Sequence, residues 1–147
     1  MTQIGNANVK INLTNDINLN GQEQNWTPID TGSGRWVYQE GNGHTIYNMR
    51  SFASGSRESA GFFGSVQCYL VVKNLNFQSS MVLCQSQSDI SAGGNVGAGI
   101  VYGCLNGSGS GYLYNVHARA GYVHRNGEYA GGLIGCTVVR RNAFVKN

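Results

Sequence analysis

Chemistry on this chain would have to come from few groups: seven carboxylates, three histidines and four cysteines among 147 residues. Glycoside cleavage needs two carboxyl groups facing one cleft at roughly 5–10 Å. The local candidates are Asp16 with Asp30, or Glu23 with Asp30. Asp16 lies in Asn15-Asp16-Ile17-Asn18-Leu19, where a short carboxylate reads as a corner residue bonding to backbone. Lyase chemistry would want a basic residue beside acidic calcium ligands, and no acidic cluster is there to hold the ion. His44, in Gly41-Asn42-Gly43-His44-Thr45-Ile46, is of the residue type that serves as a general base. Between corner glycines and a strand it reads instead as a stacked histidine held through one ring nitrogen. His117 and His124 have no third ligand at metal-site spacing. Gly107-Ser108-Gly109-Ser110-Gly111 is loop composition rather than a strand-to-helix nucleophile elbow. Gly41-Asn42-Gly43 is no phosphate cradle, because no helix follows it. The expectation is a protein with no catalytic residue, no metal and no cofactor.

The elements that would position these groups are short. Glycine numbers 22 and proline one, charged residues are only 12%, and apolar content is 41%. That excludes a disordered charged tail and a collagen-like rod. No apolar run approaches the roughly 18 residues of a membrane helix, so no membrane insertion is expected. The length suits a single domain over residues 1–147. Residues 1–89 carry five basic and six acidic side chains, whereas residues 90–147 carry five basic and one acidic. That basic C-terminal third is compatible with an anionic partner surface, but a net charge of +3 makes no case for nucleic acid. Cys68, Cys84, Cys104 and Cys136 form no CxxC, so zinc-site spacing is absent. Two disulfides are arithmetically possible, but the apolar surroundings favour four buried thiols. Met1-Thr2-Gln3-Ile4-Gly5 lacks the basic start and apolar stretch of a signal peptide. If Met1 is the native start, export by the standard route is not expected.

Two elements recur along the chain. A small-residue step into an apolar pair and back to glycine appears as Ala60-Gly61-Phe62-Phe63-Gly64, Ala98-Gly99-Ile100-Val101-Tyr102-Gly103 and Gly131-Gly132-Leu133-Ile134-Gly135. In the middle copy Tyr102 stands where the glycine would fall. Asparagine precedes an alternating apolar stretch at Asn48, Asn74, Asn115 and Asn142, spaced 26, 41 and 27 residues apart. Period-2 runs at Val9–Leu13, Ile17–Leu19, Leu70–Val72 and Val138–Val139 predict strands, and no helical period is sustained. Gly93-Gly94 and residues 107–111 read as loops. Short strands, glycine corners and a repeat in the twenties to forties predict an all-β solenoid of stacked coils. In such a solenoid Asn48, Asn74, Asn115 and Asn142 would form a hydrogen-bonded ladder, and glycines would turn with φ > 0 or lie where coils approach closely. A small β-sandwich is the competing architecture.

Leu13-Thr14-Asn15-Asp16-Ile17-Asn18-Leu19-Asn20-Gly21, then Trp26-Thr27-Pro28-Ile29, then Gly41–Met49, resembles the opening of bacterial GLUG-motif repeat proteins. Ala60–Gly64 followed by Val72–Leu75 continues the order, and Gly131–Gly135 is close to the motif that names the family. The resemblance covers most of residues 11–145. It implies a short right-handed parallel β-helix in the company of surface adhesins, and it implies no catalysis.

Binding then falls to surfaces. Tyr102, Tyr112, Tyr114, Tyr122 and Tyr129, with Arg119, Arg125, Arg140 and Arg141, are the candidate interface, since tyrosine and arginine are enriched in protein contacts. Trp26 and Trp36 flank the Pro28 turn and are expected to cover the first coil. The last repeat, Arg140–Val145, runs nearly to Asn147 with no polar capping helix after it, which predicts a coil end covered by another copy or another protein. The expected function is a non-enzymatic structural or interaction protein, foremost a virion decoration or accessory protein assembled in the cytoplasm of the producing cell. It would work through self-association or a larger shell. The alternatives are a bacterial surface adhesin or glycan-binding module, and an intracellular binder that inhibits a host factor.

Overall fold

The computed structural model describes residues 2–4, 8–21, 26–33, 36–55, 58–85, 96–107, 109–126, 129–139 and 143–146. Among them are fifteen strands and no helix. β1 (Thr2–Ile4), β4 (Ile29–Thr31), β8 (Phe63–Val66), β11 (Tyr102–Gly107) and β14 (Ile134–Val139) form one sheet in that order. A second sheet runs β2 (Val9–Asn12), β5 (Trp36–Glu40), β9 (Tyr69–Gln78), β12 (Ser110–Arg119) and β15 (Ala143–Lys146). Beside the later half of β9, β6 (Thr45–Tyr47) pairs with β3 (Ile17–Asn18). The third sheet is β7 (Arg50–Ala53), β10 (Met81–Cys84) and β13 (Tyr122–Arg125). The described strand pairs are parallel, for example Val37↔Leu70 and Gly111↔Leu70. The chain therefore visits first, second and third sheet in rotation, so each parallel connection is made through the other two sheets rather than through helices.

Alternation puts one face of each strand inside. In β9, Leu70, Val72, Leu75 and Phe77 are buried, and the alternation changes phase between Val72 and Leu75. The phase change is caused by Asn74, whose φ of 50° lies in the left-handed region; asparagine tolerates it because its short polar side chain bonds locally. Asn115 does the same in β12, also at 50°, returning Val116 to the interior after Leu113. A further corner is made by Asn48, Ser79 and Ala120, at φ of 59°, 55° and 50°, where the second sheet gives way to the third.

The repeated glycine element is in register. Ala60, Ala98 and Ala130 bridge in one row, and Phe63, Tyr102 and Ile134 occupy one column. Tyr102 thus stands in the apolar column, and Gly103 falls beside Gly64 and Gly135. Counted from the bridged alanines, Tyr102 and Ile134 each follow four residues on and Phe63 three, so the first copy is one residue shorter and the middle copy is no departure. Glycine is required there by space and not by φ. A Cβ on Gly103 would lie 2.6 Å from the Ser59 Cβ. Among described glycines only Gly21 and Gly43 take positive φ.

Three expectations are corrected. The loop placed at 107–111 shrinks, because Gly107 ends β11, while Ser110 and Gly111 are buried at the start of β12. Trp26 covers the early layers as expected, stacked on Phe62 at 4.5 Å with its indole N–H donating to the Phe62 carbonyl at 2.9 Å. Trp36 instead points outward and is 43% exposed. Of the cysteines, all four are buried, but Cys104 and Cys136 are disulfide-bonded and only Cys68 and Cys84 are free thiols. The reason is register: Cys104 pairs directly with Cys136 on neighbouring strands, 4.7 Å apart at Cα, within bridging reach. Gly93 and Gly94 lie outside the described residues. No helix of the described residues is long and apolar enough to cross a membrane.

Candidate functional site

The outward positions of the second sheet carry a continuous aromatic and cationic face. Lys10, Tyr38, Val71, Tyr112 and Phe144 stand in one row across five strands, and Asn12, Glu40, Lys73, Tyr114 and Lys146 in the next. Trp36 and Tyr69 lie in the row before. Parallel in-register pairing places these residues about 4.8 Å apart, which suits ring contacts. Tyr69 meets Tyr112 at 4.9 Å between ring centroids, and Tyr114 meets Phe144 at 6.2 Å. The rings of Tyr112 and Tyr114 are nearly parallel, 6° apart in plane. The Lys73 ammonium sits over both Tyr38 and Tyr114, at 5.6 and 5.1 Å, and Lys10 lies 5.8 Å from Tyr38. Burial alone would raise the Glu40 carboxyl. Hydrogen bonds from the Asn74 amide, the Asn42 N–H and the Tyr38 hydroxyl, with Lys73 nearby, outweigh it and hold the group below its ordinary value.

The anticipated interface residues separate. Tyr112 and Tyr114 are on this face. Tyr102 is not on a surface: it is fully buried with its ring against Gly111, where a Cβ would meet the Tyr102 hydroxyl at 2.8 Å. Burial pushes its phenol well above the usual value. Tyr122 is exposed on β13, its ring parallel to His124, and Tyr129 is exposed with the Arg125 guanidinium 5.9 Å from its ring. Arg125 itself is buried, whereas Arg119 is exposed at the end of β12. Arg140 and Arg141 lie outside the described residues. Sequence reasoning missed Trp36, Tyr38, Tyr69, Lys73 and Phe144. Their signal was the aromatic at alternate positions of Trp36-Val37-Tyr38, but the rows exist only once strands some 33 residues apart are aligned.

The ladder also separates. The Asn115 amide donates to Asn74 Oδ1 at 2.9 Å, and the Asn74 amide donates to Glu40 Oε1 at 2.9 Å. Asn48 belongs to the other corner, donating to Asn18 Oδ1 at 2.9 Å, because it ends a strand of the second sheet whereas Asn74 sits inside one. Asn142 lies outside the described residues. Asn115 is exposed, so the ladder is a surface feature rather than a buried one.

The catalytic candidates sit as follows. Asp16 accepts the Thr45 N–H at 2.9 Å and lies 3.1 Å from His44 Nδ1. The Thr45 bond first, then His44, holds the Asp16 carboxyl below its ordinary value. No described side chain hydrogen-bonds His44 Nε2. Asp30 is in the first sheet, accepts the Ser65 N–H at 2.7 Å, and burial pushes its carboxyl up despite that bond. Asp16, just before β3 of the second sheet, and Asp30, in β4 of the first, therefore belong to separate hydrogen-bond sets, and Glu23 lies outside the described residues. His117 and His124 each bond a neighbouring asparagine, Asn115 and Asn126. No group of three metal-ligating side chains occurs among the described residues. No protein-family model, no curated protein and no solved structure matches this chain.

Proposed function

We propose that this chain is a short right-handed parallel β-helix acting as a non-enzymatic structural or interaction protein, an accessory component of a larger protein assembly such as a virion shell. Support for the solenoid comes from three parallel sheets visited in rotation, with the repeated Ala-Gly elements stacked in register. The order of motifs that resembles GLUG-repeat proteins points the same way. The observation that carries the interaction role is the outer face of the second sheet. Trp36, Tyr69 and Phe144 are each more than 40% exposed there, beside Tyr38, Tyr112, Tyr114 and two lysines. Contiguous exposed apolar side chains are a feature of binding surfaces, and tyrosine and tryptophan are enriched among the residues that carry binding energy.

A second reading, a glycan-binding module of an adhesin, is favoured by the near-parallel Tyr112 and Tyr114 rings, a platform on which sugar rings can stack. Inhibition of an intracellular host factor would use the same face. The test is density-gradient fractionation of a native-source lysate, comparing the wild type with a Tyr69→Ser, Tyr112→Ser variant. Co-migration with dense particles in fixed ratio to a shell protein, lost in the variant, is the expected result. Recovery only as a free species or with cell envelope overturns the virion role, and unchanged co-migration of the variant overturns the assignment of the face.

A further inference from the structure

The outer face of the second sheet carries its charge in a regular order. Across β2, β5, β9, β12 and β15 the outward rows hold Lys10, then Tyr38, then Lys73, then Tyr112 and Tyr114, then Lys146. A lysine therefore stands on every second strand, with aromatic rings on the strands between. Neighbouring strands lie about 4.8 Å apart, so the cations recur about every 9.6 Å along the stacking direction. Lys10 is one outward row away from the other two, and the ammonium groups of Lys10 and Lys73 both lie near the Tyr38 ring, at 5.8 and 5.6 Å from its centre. The line of charge thus crosses the strands at a slant. Among the described residues of these rows Glu40 is the only carboxylate, and its oxygens already accept hydrogen bonds from Asn74, Asn42 and Tyr38.

This order selects a ligand. Lysine is depleted from the dry centre of protein contacts, whereas Lys73 stands in the middle strand of this face, between Tyr38 and Tyr114. A nucleic acid strand carries a phosphate at every nucleotide and would meet most of them with no cation. A pyranose has an apolar C–H face and a rim of hydroxyls, the counterpart of a tyrosine with its apolar ring and polar tip. The near-parallel rings of Tyr112 and Tyr114 offer such a surface. An extended chain of equatorially linked pyranoses advances by close to one strand spacing per sugar. Lysine on every second strand then matches an anionic group on every second sugar.

We propose that this face binds an acidic polysaccharide with one carboxylate on every second sugar, laid across the five strands. Its anionic sugars meet Lys10, Lys73 and Lys146, and the neutral sugars between them stack on the rings of β5 and β12. The inference rests on the glycan-binding reading of this face and adds the charge of the glycan and its spacing. The test is isothermal titration calorimetry at low salt with four probes. They are a hyaluronan hexasaccharide, which alternates a uronate with a neutral sugar, the same hexasaccharide with its carboxylates reduced to alcohols, a (1→4)-β-glucuronan hexasaccharide charged on every sugar, and hexathymidylate. Hyaluronan should bind saturably, at least tenfold tighter than its reduced form and no more than twofold weaker than the glucuronan. Lys73→Gln should weaken hyaluronan at least threefold and leave the reduced form within twofold. Lys10→Gln, at an exposed position of β2, should do the same and serves if the first variant disturbs the fold. Equal binding of hyaluronan and its reduced form, or indifference to both variants, overturns the inference and leaves the glycan-binding reading standing. Tenfold tighter binding of the glucuronan overturns the spacing. Failure of all three saccharides to bind overturns the glycan-binding reading with it, and tighter binding of hexathymidylate than of hyaluronan assigns the face to nucleic acid instead.

Discussion

Replacing Asn74 isolates what one corner residue contributes. Asn74→Ala removes two hydrogen bonds, the one given to Glu40 and the one accepted from Asn115, both 2.9 Å long. It also leaves a Cβ-bearing residue without local polar compensation at φ 50°. A typical hydrogen bond contributes about 0.5–1.5 kcal/mol net and more to a charged acceptor. Asn74 is half-buried and Asn115 exposed, so water replaces part of that and the pair is worth about 1–1.5 kcal/mol. The left-handed backbone adds about 1 kcal/mol for alanine. Asn74→Ala should therefore cost about 2–2.5 kcal/mol, and Asn74→Gly, which frees the backbone but not the bonds, about 1 kcal/mol less. The assay is equilibrium urea unfolding followed by far-UV circular dichroism, with the midpoint read at constant m-value. The pH dependence is a second check. Glu40 is held below its ordinary value, so the stability it contributes is present above that value and is lost as pH falls through the folded one. The gap between wild type and Asn74→Gly should narrow in acid accordingly. Equal midpoints for the alanine and glycine variants would refute the backbone account, and a cost under about 0.5 kcal/mol for alanine would refute the ladder as well.

Gln39 is 1% exposed and both of its amide atoms lack a hydrogen-bond partner among the described residues, in a column whose neighbours are Ile11 and Val72. Gln39→Leu should stabilise the protein by about 1–3 kcal/mol, seen as a raised urea midpoint, because an unpaired buried amide is removed. Reducing the Cys104–Cys136 bond should cost about 3–4 kcal/mol, since it closes a loop across a sequence separation of 32. The non-reduced, unfolded protein should take up two alkylating groups, at Cys68 and Cys84, and uptake of four would disprove the bond. Asp30→Asn keeps an acceptor for the Ser65 N–H while removing a carboxylate that burial penalises. With the folded value raised, the charged form destabilises the fold at neutral pH and the penalty fades as pH falls through that value. The variant should melt at or above wild type at pH 7 and lose its advantage below pH about 4; a lower melting temperature at pH 7 would contradict this.

Much of the architecture was legible because it is periodic. Alternating apolar residues in Leu70-Val71-Val72 dictate a strand with one inward face wherever it is placed. The recurring Ala-Gly elements, and Asn74 with Asn115, align so that their small or left-handed residues serve the same corner in successive layers. His44, too, was placed correctly as a histidine bonded through one ring nitrogen, here to Asp16. What a sequence spacing does not contain is the register between passes of unequal length. That register joined Cys104 to Cys136, moved Asn48 to a different corner from Asn74, and drew Tyr102 into the core. The aromatic face is decided in the same way: Trp36, Tyr69 and Tyr112 are far apart in the chain and become neighbours only when parallel pairing sets their strands side by side.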